Sequence, residues 1–278
     1  MSVLVVACAL LGLLIGPLLR LAVDQIPPRR PLLRRRTSAD GAPVALADLV
    51  PVRSWRRPAP AATLVPVGSP DDHPDGSRDL VRMSWRAPAI DVATAVVGGA
   101  LAATIGTDPY LPAALVLGWT TVLVTVIDLD HYRIPDRVVF PALGASVLLL
   151  GVVTVAADLP RGAVGALLGA LAYAGMLFVM FLISPAGMGF GDVKLALLLG
   201  LHLGWVGGVS EVEGDLVVDG LLEAVGFTFV GALVGTFLGI VLGLGYRMVR
   251  GRGAAFPFGP ALGIGTVVAV LARGPLGA

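Results

Sequence analysis

The sequence predicts an all-α, polytopic membrane protein of about eight transmembrane helices with one cytoplasmic loop, and three observations carry that reading. Of its 278 residues, 56% are hydrophobic and only 14% charged, against about 25% charged in a typical soluble domain. Apolar stretches long enough to cross a hydrocarbon core of about 30 Å recur along the chain. The net charge of +1 says nothing as a total, but the basic residues are sorted by position.

The first apolar segment runs from Met1 to about Val23 and holds no charge before Arg20. It lacks the basic start of a secretory signal peptide, and Arg29, Arg30, Arg34, Arg35 and Arg36 follow it. It is therefore expected to be an anchor with its N-terminus outside. Residues 27–86 change character: they are rich in Pro, Arg, Asp and Ser, have no sustained period, and read as a soluble, loosely ordered cytoplasmic loop. Beyond it, apolar stretches recur at about Ile90 to Ile105, Leu111 to Ile127, Val138 to Ala156, Ala163 to Ile183, Val193 to Val209, Leu221 to Tyr246 and Phe256 to Leu271. The expected division is a first transmembrane helix over 1–26, the loop over 27–88, and a seven-helix membrane core over 89–278.

Charge tests that count. Alternating eight spans from an outside N-terminus puts 18 of the 20 Lys and Arg on the cytoplasmic side and leaves only Arg161 and Arg273 outside, as the positive-inside rule requires. Both termini then lie outside. One early span more or fewer would reverse the later connections and destroy the asymmetry. Among the 37 glycines, Gly231, Gly235 and Gly239 have the spacing that lets helices approach closely. Residues 205–223, with Glu211, Glu213, Asp215, Asp219 and Glu223, read as a solvated external loop, since no calcium-loop spacing is present. Cys8 is the sole cysteine and lies in an apolar run. It reads as a small buried residue, and one chain offers neither a disulfide framework nor a four-cysteine zinc site.

Two aspartates fall where apolar spans meet the cytoplasmic surface: Asp128, ending the run TVLVTVI, and Asp192, within GMGFGDVKLALLLG. Desolvating a carboxylate there costs several kcal/mol unless it is paired or neutralised, so each is a candidate functional group. Taken singly, either could be a helix-end carboxylate reaching interfacial water. Paired carboxylates suit peptide hydrolysis, because proximity separates their titrations and leaves one protonated to polarise a carbonyl while the other accepts a proton from water. The only histidines are His73, His131 and His202, and none is placed to serve a serine or cysteine nucleophile. Gly187, Gly189 and Gly191 remove side chains that would block an extended substrate backbone, which a leader helix must adopt before hydrolysis. As an isolated pattern, GxGD is weak.

The segments GMGFGDVK and DLDHYRIPD together resemble the paired signature of the GxGD aspartic proteases that process type IV prepilins. The resemblance selects Asp128, six residues before the Ile134–Pro135 step, and not Asp130, as the first catalytic aspartate, and Asp192 as the second. It implies supporting or substrate-binding roles for Gly189, Gly191, Pro135, Asp136 and Lys194, though surface charges that orient helix ends explain Asp136 and Lys194 equally well. GLLIGPLLRLAVDQIP is similar to the family's first span and FPFGPALGIG to its C-terminal segment, while LVPVRSW and WRAPAID echo the edges of its loop domain.

The implied activity is that of a membrane aspartic endopeptidase in the inner membrane, cutting leaders of prepilin-like or pseudopilin proteins after a glycine, ahead of an apolar helix, at the cytoplasmic face. The implied partners are these substrates and membrane lipid, with no nucleic acid. Proteolysis would need no cofactor. The family's loop often carries two CxxC pairs that bind zinc, and this chain has none, so no metal is expected. S-adenosylmethionine would serve only if the N-methylation found in many relatives is retained, and no glycine-rich nucleotide fingerprint supports it. The nearest alternatives are a Tad-type or preflagellin-type leader peptidase, which differs in substrate and not in chemistry, and a proton-coupled transporter. The transporter should show inverted repeats with broken helices, and no such symmetry is visible. A non-catalytic assembly partner should have lost one of the motifs, and both are intact.

Overall fold

A computed structural model describes residues 2–25, 77–185, 188–209, 218–250 and 258–273. Most of the expected loop with His73, Gly187, the acidic stretch around Glu211, Glu213 and Asp215, and Phe256 and Pro257 lie outside the described residues. Within them the chain is all-helical: α1 (Ser2–Gln25), α2 (Ser77–Ile105), α3 (Leu111–His131), α4 (Asp136–Ala156), α5 (Pro160–Ile183), α6 (Phe190–Gly208), α7 (Val218–Arg250) and α8 (Gly259–Arg273). Seven of these helices are long and apolar enough to cross a membrane, and α8, at 15 residues, is shorter. The protein is a polytopic membrane protein. Outward side chains such as Val155, Ile183 and Phe237 are exposed, as lipid permits and water would not. Helix α2 starts at Ser77, inside the segment expected as loop, and its apolar window opens at Pro88. Composition marks only the stretch that lipid requires to be apolar, whereas a helix continues wherever its backbone bonds are made.

The described chain forms two compact units. In the unit Val6–Gly99, α1 and α2 pack through small residues. The hydroxyl of Thr94 donates to the carbonyl of Gly12 at 2.8 Å. A methyl group on Gly16 would strike the Asp91 backbone, so glycine there is what brings the helices together. Asp91 is fully buried and pairs with Arg20 at 3.0 Å. A carboxylate in that setting is tolerable because its partner neutralises it.

The other unit contains α3 to α8, with α6 at its centre, packed on α3, α4, α5, α7 and α8. Two rows of glycine join α5 to α6: methyl groups at Gly165 or Gly169 would strike the carbonyls of Gly204 or Gly200, and the converse also holds. Without a hydrophobic force between helices in lipid, this backbone-to-backbone approach supplies the contact energy. The expectation of helix packing for Gly231, Gly235 and Gly239 is met: they abut Leu203, Leu262 and Phe258 respectively. His202 of α6 is fully buried and joins Tyr110 Oη through Nδ1 at 3.1 Å and Ser146 Oγ through Nε2 at 2.9 Å. Trp205 stacks on Tyr110 and donates to Thr154 Oγ1 at 3.2 Å. This polar cluster links α6 to α4 and to the residue before α3, which sets how α6 is rotated in the bundle.

Tyr110→Phe removes one hydrogen bond from that buried cluster and leaves a histidine nitrogen unmatched. Stability in detergent should fall by about 1 kcal/mol with helix content unchanged. Equilibrium unfolding followed by circular dichroism measures this, and an unchanged midpoint would show that the cluster does not hold α6.

Candidate active site

Asp128 lies in the last turn of α3 and Asp192 in the first turn of α6. These are the two most enclosed of the apolar spans. The two carboxylates are 5% and 7% exposed, so the chain has placed both where charge is costly. No described Lys or Arg makes an ion pair with either of them.

Local sequence fixes each position. Helix α3 ends when Tyr132 takes the left-handed conformation (φ 51°, ψ 41°) and its N–H caps the carbonyl of Asp128. A carboxylate at a helix C-terminus faces the negative end of the macrodipole. The start of α8 offsets this: the backbone N–H of Gly259 donates to Asp128 Oδ2 at 3.2 Å, and a helix N-terminus offers such donors with a favourable dipole. At the other aspartate, Gly189 is the N-cap of α6 and its N–H donates to Asp192 Oδ2 at 3.2 Å. This is one half of a capping box, with the acid three residues into the helix.

The two carboxyl groups are within direct electrostatic reach of each other. Ile134 spans the distance between their surroundings. A methyl group on Gly191, the neighbour of Asp192, would lie 2.9 Å from Ile134 Cβ. One on Gly259 would lie 2.8 Å from Ile134 Cδ1 and 2.9 Å from Asp128 Oδ2. Both glycines are therefore required by close approach. Among the described residues each carboxyl group accepts one backbone N–H, through Oδ2. Such a pair can donate a hydrogen bond to a carbonyl and accept a proton from water at the same time.

The remaining motif residues gather at the same ends of the helices. Pro135, extended at φ −79° and ψ 134°, is the N-cap of α4 and accepts from the N–H groups of Val138 and Val139. Asp136 pairs with Lys194 at 2.6 Å, tying the start of α4 to the start of α6. The Lys194 ammonium also lies over the rings of Phe190 and Phe140, 5.2 and 5.9 Å from their centroids. Asp130 is half-buried and is two residues, or about 200° of helix, from Asp128, so it points away from the pair.

Sequence reasoning missed Gly259 as the donor to Asp128, Ile134 as the side chain between the two sites, and Tyr173 of α5, which is buried within electrostatic reach of Asp192. Gly259 is 131 positions from its partner, and no periodicity announces such a contact. Among the described residues, no three His, Cys, Asp or Glu side chains converge to hold a metal ion.

Comparison with known proteins bears on the same region. The model of the type IV leader peptidase family matches residues 115–248, which include both aspartates. A prepilin leader peptidase/N-methyltransferase of Aeromonas hydrophila is 33% identical over 190 residues, covering 68% of this chain and 59% of the relative. A protein of the same description from Pseudomonas putida is 32% identical over 193 residues, with 68% and 60% covered. One from Xanthomonas campestris pv. campestris is 27% identical over 283 residues, with 93% and 88% covered. The chain thus spans about three fifths of the length of the first two relatives, and no solved structure matches it. Through residues 115–248, with both aspartate motifs intact in a polytopic helical core, this chain belongs to the type IV leader peptidase family.

Proposed function

We propose that the protein is a membrane aspartic endopeptidase that cleaves the leaders of type IV prepilin-like proteins at the cytoplasmic face, with Asp128 and Asp192 activating water. The observation that carries this reading is the pair itself: two buried carboxyl groups in mutual electrostatic reach, with no described cation paired to them and one backbone N–H on each.

In the mechanism, one carboxyl group holds a proton and donates a hydrogen bond to the oxygen of the scissile carbonyl. The other, ionised, takes a proton from a water molecule as that water adds to the carbonyl carbon. The resulting tetrahedral diol collapses as the C–N bond breaks, and the leaving nitrogen takes the proton gained from water. The first carboxyl group, which gave its proton to the carbonyl oxygen as the diol formed, takes a proton back from a diol hydroxyl as the C=O re-forms, and the pair is ready for another turn. Gly259 and Gly189 hold the carboxyl groups through Oδ2. Gly189 leaves room for an extended substrate backbone, Gly191 makes room for Ile134 beside Asp192, Pro135 sets the start of α4, and the Asp136–Lys194 pair braces the helix ends that carry the two acids.

The family description and the names of the relatives support prepilin-like substrates of the type IV pilus class. Those names also include N-methyltransferase. In this chain, S-adenosylmethionine would enter only if that second activity is retained. The distribution of Lys and Arg supports an inner-membrane orientation with the termini outside and the aspartates at the cytoplasmic end.

Asp128→Asn and Asp192→Asn should each abolish leader cleavage without loss of membrane insertion, and Asp130→Asn should retain substantial activity. The assay is cleavage of a purified single-span substrate with a basic leader and an apolar helix, and processing by Asp128→Asn at the parent rate would defeat the assignment.

Lys194→Met should slow cleavage about two- to threefold, the scale of a partly exposed ion pair. The exchanged double variant Lys194→Asp with Asp136→Lys should recover part of that rate. A double variant no better than the sum of its single changes would remove the bracing role.

Orientation is tested with single cysteines near Arg133 and near Asp215 in a Cys8→Ser background, treated in spheroplasts with an impermeant thiol reagent. Only the cysteine near Asp215 should react. The opposite pattern would turn the aspartates away from the cytoplasm and exclude the proposed substrate class.

A further inference from the structure

Buried hydroxyl groups in membrane helices are ordinarily matched close at hand. Thr94, Thr104 and Thr228 each donate to the carbonyl one turn back, at Ile90, Ala100 and Ala224, and Tyr110 Oη meets His202 Nδ1. Three hydroxyls in the core of the α3–α8 unit depart from that pattern. Thr121 of α3, Tyr173 of α5 and Thr266 of α8 are 7%, 1% and 0% exposed, and none has a partner at hydrogen-bonding geometry among the described residues. A buried hydroxyl left unmatched costs free energy.

The three hydroxyls are gathered, not scattered. Thr121 packs on Gly263, where a methyl group would lie 2.6 Å from Thr121 Cγ2 and 3.3 Å from its Oγ1. Thr266 is one turn further along the same face of α8, and Tyr173 lies within reach of both Thr266 and Asp192. They also lie in line with the aspartates. Thr121 is two turns before Asp128 on α3, and Thr266 is two turns after Gly259 on α8, so each shares a helix face with a residue of the pair and sits about 10 Å further into the bundle. Three hydroxyls from three helices offer one water molecule the two to four polar partners that a buried site requires. None of the three is charged, which suits a neutral ligand and not an ion. We propose that Thr121, Tyr173 and Thr266 form a buried water-binding site beneath the aspartates, which supplies hydrolytic water to the pair from the core side.

The supply role rests on the peptidase reading of Asp128 and Asp192, whereas the binding of water does not. The test exposes the full-length protein in proteoliposomes to a synchrotron X-ray pulse. Radiolysis turns bound water into hydroxyl radical, which oxidises the side chain beside it, and mass spectrometry of peptides reads the yield. Tyr173 should be oxidised several-fold faster than Tyr110, which is as deeply buried but has its hydroxyl on His202. A yield at Tyr173 no higher than at Tyr110 overturns the site.

Thr266→Val keeps the side-chain shape and removes one hydroxyl. It should lower Tyr173 oxidation several-fold and lower kcat for leader cleavage about fivefold, the scale of one hydrogen bond, with KM unchanged. Thr266→Ser, which restores the hydroxyl, should recover most of both losses. A merely structural role would tie the rate to side-chain bulk, so that the valine variant would match the parent and the serine variant would not. Oxidation at Tyr173 with an unchanged kcat in Thr266→Val overturns the supply role. If Thr266→Val does not fold, Thr121→Val is measured against the same two outcomes. Asp128→Asn is run alongside: cleavage by that variant at the parent rate would overturn the peptidase reading, and with it the supply role, while the oxidation yields would still decide the water site.

Discussion

The burial of two carboxyl groups at the ends of apolar helices is the constraint on which the rest of this structure depends. Charge at such a depth costs several kcal/mol unless it is matched. Elsewhere in the chain the solution is a counter-ion: Asp91 is fully buried and Arg20 pairs with it. At Asp128 and Asp192 the solution is different. Each carboxyl receives one backbone N–H at a helix start, from Gly259 at the head of α8 and from Gly189 at the head of α6. A helix N-terminus supplies hydrogen-bond donors and half a positive charge without cancelling the carboxylate outright. A counter-ion would make the group stable and inert, whereas a dipole holds it in place and leaves its chemistry available.

That arrangement works only if three helix ends meet within a narrow tolerance, and the glycine content follows from this need. Helix α6 is packed on five others, so its height and rotation set the position of Asp192. The interlocked glycines of α5 and α6 bring backbones into contact along their length, which fixes α6 against sliding. The cluster of Tyr110, His202 and Ser146 adds directional bonds that fix its rotation. At the site itself, Gly191 and Gly259 are glycine because Ile134 and Asp128 occupy the space a side chain would need.

What surrounds the acids bears on the proposed pairing. Taken singly, either aspartate could be a helix-end carboxylate reaching interfacial water, and Asp192 also occupies a capping position. Asp128 does not: it sits at a C-terminus, where a carboxylate is disfavoured, and it is matched by a helix start far away in sequence. A capping role therefore accounts for one aspartate and leaves the other unexplained, whereas a working pair accounts for both.

The sequence alone determined the fold class and the approximate spans, and it singled out the two aspartates as candidates. These follow from local rules: lipid demands long apolar stretches, and an ionisable residue at the edge of one stands out against them. It also determined that Gly231, Gly235 and Gly239 serve packing, because small residues at that spacing have few other uses in a membrane helix. Periodicity located α2 only from Ile90, since the helix begins at Ser77 in a segment whose composition is that of a loop. Tertiary structure decided which groups meet. That Gly259 holds Asp128, that Arg20 answers Asp91, that His202 lies between Tyr110 and Ser146, and that Ile134 packs on both Gly191 and Gly259 are contacts across many tens of residues or between helices. The energy of such contacts depends on distance and direction in space, and a linear pattern of residue types carries neither.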